Sequence, residues 1–154
     1  MSKTWFSSED EIAAIADGVI RRTLPKPEWT HAAHFACALH LIRHRGMAST
    51  LADMPDLIRA YNAATGVLNT DSEGFHATIT IASIRAAGWV LDGFGREVGL
   101  HRVANALMAG PLGESKWLLA YWSRERLFSV AARRGWVEPD LAALNFPSRP
   151  SVEA

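Results

Sequence analysis

The sequence predicts an all-α protein, a single compact bundle of five to seven helices around one central buried helix. Apolar residues recur at helical spacing in most segments, and Gly and Pro fall between those segments. The only β-branched cluster, at residues 78–81, lies in a segment too long and too rich in alanine for a strand. We therefore expect one domain over residues 1–154, with a core of about 8–144 and an irregular tail at 145–154.

The first two helices have clear start and stop signals. Ser8 and Glu11 have the spacing of a capping box, so the first helix is predicted to begin near Ser8 and to end before Pro25. Thr30 is a good N-cap and Gly46 a good residue to follow a helix. The second helix is therefore expected between them.

The third helix is predicted over about 55–66, because Pro55 is favoured at the first helical position. Thr70 and Glu73 make a second possible capping box, which would open a long fourth helix over about 73–94. That segment is apolar nearly all round, so it is predicted to be the central helix.

The last part of the chain gives weaker signals. A fifth helix is predicted at about 98–109, where apolar residues share one face, and a sixth at about 114–122. From Ser123 onward the pattern indicates short helical turns, followed by the tail that contains Pro147 and Pro150.

Composition excludes several classes of function. Sixteen basic residues balance sixteen acidic ones, so we expect neither nucleic acid nor an anionic membrane surface as a partner. Cys37 is the only cysteine, which rules out an internal disulfide. With no apparent signal peptide or membrane-spanning run, a cytoplasmic location is expected. The Walker loop, the Gly-rich dinucleotide turn, the nucleophile elbow and the HExxH motif are all missing.

Three histidines are predicted to face inward. His31 falls in the middle of the apolar arc of the second helix, and His34 at its edge. His76 lies near the start of the central helix, on one stripe with Thr80 and Ser83. Burial and the positive end of a helix both disfavour imidazolium, so these rings should be neutral at pH 7. The solvent-facing histidines are predicted to be His40, His44 and His101.

Four segments carry a resemblance to a known family. They are WTHAAH at 29–34, RAYN at 59–62, GFHATIT at 74–80 and SRERLFS at 123–129. The chain resembles a family of small bacterial proteins with WTHxxH and G-aromatic-H-x-T-I-T motifs, over about residues 25–144. The resemblance implies that these residues are important, but it supplies no reaction.

The chain departs from that family at one position. The residue after the histidine of the second motif is often Glu in the family, whereas this chain has Ala77. If that Glu binds a metal or carries a proton in the family, this chain has no carboxylate at the position to do so.

The first functional hypothesis is a small-molecule enzyme or metal-dependent protein. Two histidines at i, i+3 can share a metal, and a third from the central helix completes a site of His31, His34 and His76. A divalent metal, zinc or iron, is the cofactor that this set predicts. A carboxylate would complete or orient the metal site. The candidates for that carboxylate are Glu28, Asp71 and Glu73.

Further residues are assigned to chemistry and to substrate. His31, His76 and Tyr61 are the catalytic candidates, and Asn62 and Thr80 are predicted to contact a small-molecule ligand. Arg124 and Arg126 follow a tryptophan, in a pattern that can clamp a carboxylate or phosphate.

Two other hypotheses stay open. In one, neutral imidazoles and helix N-termini hold a small anion without a metal, so the protein is a binding module. In the other, the histidines are satisfied core residues of a structural or interaction domain. The sequence predicts no oligomeric state.

Overall fold

Seven α-helices and no strand make up the part of the chain that the computed structural model describes, residues 4–144. The all-α prediction is therefore confirmed, while the predicted tail at 145–154 lies outside the described residues. The helices are α1 Glu9–Ile20, α2 His31–Arg45, α3 Met47–Ala64, α4 Ala77–Leu91, α5 Leu100–Ala109, α6 Arg124–Leu127 and α7 Val130–Arg134. Three short 3-10 helices lie at Lys26–Glu28, Pro111–Gly113 and Trp117–Ala120.

The first two helices begin where the sequence predicts. The Ser8 hydroxyl accepts a hydrogen bond from the Glu11 amide at 3.2 Å, and Thr30 accepts from the Ala33 amide at 3.2 Å. Each such cap contributes about 1 kcal/mol to helix stability. The Glu11 carboxylate binds Ser7 rather than Ser8, so the capping box is shifted by one residue.

The predicted start of the third helix is wrong. Helix α3 begins at Met47 and runs through Pro55, which lies inside it and removes one backbone donor. Thr50, Met54 and Ile58 are all buried at helical spacing on either side of the proline. Burial of that continuous face outweighs the loss of one backbone hydrogen bond.

The start of the central helix also differs from the prediction. Thr70 and Glu73 form a tight turn, in which the Thr70 amide donates to the Glu73 carbonyl at 2.9 Å, and not a capping box. Helix α4 begins at Ala77 with His76 as its N-cap. It packs against α2, α3, α5 and α7, so its central position is confirmed.

Residues 111–137, which follow α5, fold as short helices and turns. We call them the C-terminal segment. The predicted sixth helix at 114–122 is wrong, because only Trp117–Ala120 forms a 3-10 turn there. Polar contacts hold this segment to the helices. The Thr78 hydroxyl donates to the Gly135 carbonyl at 2.8 Å, for example.

One hydrophobic cluster connects these elements, and Cys37 lies inside it, fully buried in α2. Burial raises the pKa of the Cys37 thiol to about 12, so the sulfur is a protonated core atom. None of the helices between residues 4 and 144 has both the length and the apolar character needed to cross a membrane.

Candidate functional site

A cavity of about 570 Å³ lies between α2, α3, α4 and the C-terminal segment. Its volume is within the range of small-molecule sites. His31, His34 and His76 all line it, although two different parts of the chain supply them. The structure therefore brings together the three residues that the sequence singled out.

The cavity has a largely apolar wall that combines aliphatic and aromatic side chains. Helices α2, α3 and α4 contribute aliphatic side chains such as Ile58 and Ile84. Five aromatic side chains also border the space: Trp29, Phe35, Phe75, Trp117 and Phe128. Such a wall favours a ligand with an apolar, preferably ring-shaped, body.

The charge on the lining is one-sided. Lys26, Lys116 and Arg124 border the cavity, and among residues 4–144 no Asp or Glu lines it. In the described part of the chain none of these three cations forms an ion pair. The chain as a whole has a net charge of zero, so this local excess is not a consequence of composition.

His76 uses both ring nitrogens within the protein. Its Nδ1 accepts from the Ile79 amide at 3.1 Å, and its Nε2 lies 2.7 Å from the Leu127 carbonyl. Because a carbonyl only accepts, Nε2 carries the proton and the ring is neutral. Burial is the main cause that lowers the pKa of His76, which favours this neutral form.

His31 makes a similar contact with another part of the C-terminal segment. Its Nε2 lies 2.9 Å from the Leu112 carbonyl and donates to it. The edge of the ring packs on Phe35, with ring centroids 5.2 Å apart. His31 therefore ties the Pro111–Gly113 turn to α2.

Among the described residues, His34 has one ring nitrogen engaged and one free. Its Nδ1 donates to the Thr30 carbonyl at 2.8 Å, and its ring packs on Trp29 at 3.8 Å between centroids. Over the described chain its Nε2 has no hydrogen-bond partner. Burial, with a smaller contribution from the nearby His31, lowers the pKa of His34 to about 4. The ring is thus a neutral, weak base.

These contacts give the zinc or iron prediction no support. Among residues 4–144 no group of three or more His, Cys, Asp or Glu side chains is placed to hold a metal ion. The candidate carboxylates Glu28, Asp71 and Glu73 do not line the cavity, and Asp71 instead pairs with Arg134 at 2.7 Å. His31 Nε2, His34 Nδ1 and His76 Nε2 each donate to a backbone carbonyl, so these three nitrogens are not available to a metal.

The other predicted site residues divide into two groups. Asn62, Thr80 and Arg124 line the cavity. Tyr61 and Arg126 do not: the Tyr61 hydroxyl donates to the Leu24 carbonyl at 2.8 Å, and Arg126 donates to the Glu138 carbonyl. Adjacent residues on a helix differ in direction by about 100°, which places Asn62 in the cavity wall and Tyr61 in the core.

Sequence reasoning missed two of the cavity cations. Lys26 lies in a 3-10 turn, and Lys116 lies in the loop before another one. Neither position belongs to a helical pattern, so no periodicity could assign it to a face. The proximity of Lys116 to Arg124 along the chain was the only available signal.

The histidines predicted to face solvent are less uniform than expected. His44 is exposed, but His40 and His101 are half-buried, and the Nδ1 atom of each is buried without a hydrogen-bond partner among residues 4–144. The rings of His40 and His44 lie 4.4 Å apart. Burial, followed by the charge of His44, lowers the pKa of His40.

Comparison of the chain with family models, with curated proteins and with solved structures found no match in any of the three. The resemblance to the WTHxxH proteins therefore stays a prediction. Ala77, where that family often has Glu, is buried at the first residue of α4. The cavity itself is the feature of the molecule that points to a function.

Proposed function

We propose that this protein binds a small organic anion with an apolar body, and that it does so without a metal. The observation that carries this proposal is the lining of the cavity, which combines three cations with apolar and aromatic walls and, within the described residues, contains no carboxylate. An anionic group would gain charge-assisted hydrogen bonds from Lys26, Lys116 or Arg124. Arg124 can in addition hold a carboxylate or phosphate through two parallel bonds.

The exposure of the three cations supports one orientation of the ligand. Lys26, Lys116 and Arg124 are exposed, whereas Ile84 and Phe35 are fully buried. The anionic end then stays near solvent, and the apolar body enters the cavity. Each Å² of apolar surface removed from water contributes about 25 cal/mol.

The histidines fit this arrangement as wall residues. Because His76 is neutral and its nitrogens are engaged, it adds no charge to the apolar part of the cavity. His31 and His76 hold the backbone of the C-terminal segment at Leu112 and Leu127. Lys116 and Arg124 lie on that segment between those two attachment points.

A panel of ligands tests the proposal. We expect 3-phenylpropanoate, octanoate or phenyl phosphate to raise the melting temperature and to bind in isothermal titration calorimetry. The neutral 3-phenylpropanamide and the cationic 3-phenylpropylamine should bind more weakly, since only an anion pairs with the cavity cations. Anions that bind no better than these two analogues would contradict the proposal.

Charge-reversal variants locate the binding site. Lys116→Glu and Arg124→Glu should each weaken binding of the anion about tenfold, or about 1.4 kcal/mol. Arg96→Glu is the matched control, because Arg96 is exposed and lies outside the cavity lining. An equal loss in Arg96→Glu would mean that the effect is one of overall charge.

A second candidate function is an enzyme in which His34 accepts a proton from the bound molecule. The free Nε2 of His34 is the observation that favours it. Its pKa of about 4 makes it a weak base, so binding has the better support. Incubation with each ligand that binds, followed by NMR, tests this candidate. Turnover that disappears in His34→Ala would support it, and unchanged ligand would contradict it.

A further inference from the structure

Helix α4 carries two hydroxyl groups that have no hydrogen-bond partner among residues 4–144. Thr80 and Ser83 lie three residues apart, on one stripe with His76, and both line the cavity. In the described part of the chain neither side chain forms a hydrogen bond. Thr78 on the same helix behaves differently, since its hydroxyl donates to Gly135 and accepts from the Val137 amide at 3.2 Å.

This difference bears on what the cavity holds. Hydroxyl groups on a helix commonly bond back to a carbonyl one turn earlier. Thr80 and Ser83 do not bond back, and they face the cavity instead. Their hydrogen-bonding capacity is therefore available to a ligand.

Asn62 adds an oriented acceptor from α3. It is only 8% exposed, and its Nδ2 donates to Asn69 Oδ1 at 3.1 Å. Asn69 is itself fixed, because its Oδ1 also accepts from the Phe75 amide and its Nδ2 donates to the Arg59 carbonyl. These bonds define which end of the Asn62 amide is the oxygen, and that oxygen has no donor among residues 4–144.

We infer that the anion carries a hydroxyl group on its apolar body and that Thr80, Ser83 and Asn62 recognise that group. This inference rests on the proposed function and narrows it to hydroxylated aromatic or alicyclic acids. A hydroxyl donates to the Asn62 oxygen and accepts from a Thr or Ser hydroxyl, so it suits all three partners. The charged end of the same molecule lies with Lys116 and Arg124 at the rim.

A matched series of ligands tests the inference by calorimetry. The parent compound is 3-phenylpropanoate, and the series consists of its 2-, 3- and 4-hydroxyphenyl isomers. We expect at least one isomer to bind about tenfold more tightly than the parent, because sites that hydrogen-bond a hydroxyl discriminate against ligands that lack it.

Two substitutions assign that gain to α4. In Thr80→Val or Ser83→Ala, the affinity for the hydroxylated isomer should fall relative to the affinity for the parent. Thr23→Val is the control, since Thr23 is exposed and lies outside the cavity. Circular dichroism and melting temperature check that each variant is folded, and two separate positions keep the test decisive if one variant is not.

The outcomes separate this inference from the proposed function. If the parent anion binds better than its neutral amide but no hydroxylated isomer improves on it, the inference is overturned and the proposed function stands. If the gain persists in both Thr80→Val and Ser83→Ala, the inference is likewise overturned. If neither the parent nor any isomer binds, both are overturned.

Discussion

The two walls of the cavity differ in the contacts that hold them in place. The wall formed by α2 and α4 is fixed by apolar burial, with Leu39 and Ile84 fully inaccessible to solvent. The opposite wall, the C-terminal segment, also buries apolar side chains such as Trp122, but it is tied to the helices by long-range hydrogen bonds as well. His31 binds the Leu112 carbonyl, and His76 binds the Leu127 carbonyl.

Further polar contacts complete the second wall. Arg133 donates to the Gly74 and Phe75 carbonyls, and Thr78 donates to the Gly135 carbonyl. A core distributes its stabilisation over many atoms, whereas these bonds concentrate it in a few. Single substitutions should therefore loosen the second wall without unfolding the first.

The largest effect is expected for a substitution in the core of the wall formed by α2 and α4. Leu39→Ala should lower the free energy of unfolding by about 2–5 kcal/mol, because it leaves a cavity in a closely packed core. Urea unfolding followed by circular dichroism measures the loss. Leu141→Ala is the matched control, since Leu141 is 59% exposed and should change the stability little. Similar losses in both variants would mean that the α2 core is not tightly packed.

A smaller and local effect is expected from His76→Ala. The substitution removes both the N-cap of α4 and the bond to Leu127, at a cost of about 1–3 kcal/mol. Hydrogen exchange should accelerate at the Ile79 amide and in α6 and α7 more than in α2. The control is His44→Ala, which removes an exposed ring. Uniform acceleration across all the helices would contradict the separation of the two walls.

The third prediction concerns pH. The pKa of His34 falls from 6.5 to about 4 on folding, chiefly because the ring is buried. Between these values the unfolded chain binds a proton that the folded chain excludes, so stability decreases as the pH falls from 6.5 towards 4.

The variant His34→Asn isolates this contribution, because it retains a side-chain donor near Thr30 but does not titrate. Urea unfolding at pH 7.0 and 4.5 should show a larger loss for the original protein than for the variant. Equal losses would mean that His34 is protonated equally in the folded and unfolded states.

The smallest effect is expected for the ion pair between Arg134 and Asp71. Both side chains are more than half exposed, so the free energy of unfolding should change little in Arg134→Ala. Arg134 lowers the pKa of Asp71, and NMR titration should show that pKa returning towards its ordinary value in the variant. A loss as large as that of His76→Ala would place this surface contact among the bonds that hold the second wall.

The sequence predicted the first wall better than the second for a physical reason. Helical phase depends on neighbouring residues, so it placed His31 on the inner side of α2 and identified α4 as central. The bonds of the second wall join residues far apart in the chain. His31 and Leu112 are 81 positions apart, and His76 and Leu127 are 51 apart. No local pattern encodes such a pair.

The errors at helix starts have a related cause. Pro55 and the Thr70–Glu73 pair are local signals, and each was interpreted as a helix start. In the fold, burial of the face around Met54 overrides the first signal. The second is overridden by His76, an uncommon N-cap whose choice depends on its contact with Leu127. Tertiary contacts, rather than propensity, decide both starts.

The single cysteine allows the opening of the core to be followed by chemical labelling. Cys37 is completely buried, and its thiol has a pKa of about 12, so a thiol-specific reagent reacts only in molecules whose core has opened. Under conditions where reclosing outpaces the reagent, the labelling rate reports the population of open molecules. A ligand that binds only the folded chain slows that rate by a factor of 1 + [L]/Kd. The affinity for a ligand can thus be obtained from the labelling rate of the unaltered chain, with no dye, tag or engineered residue.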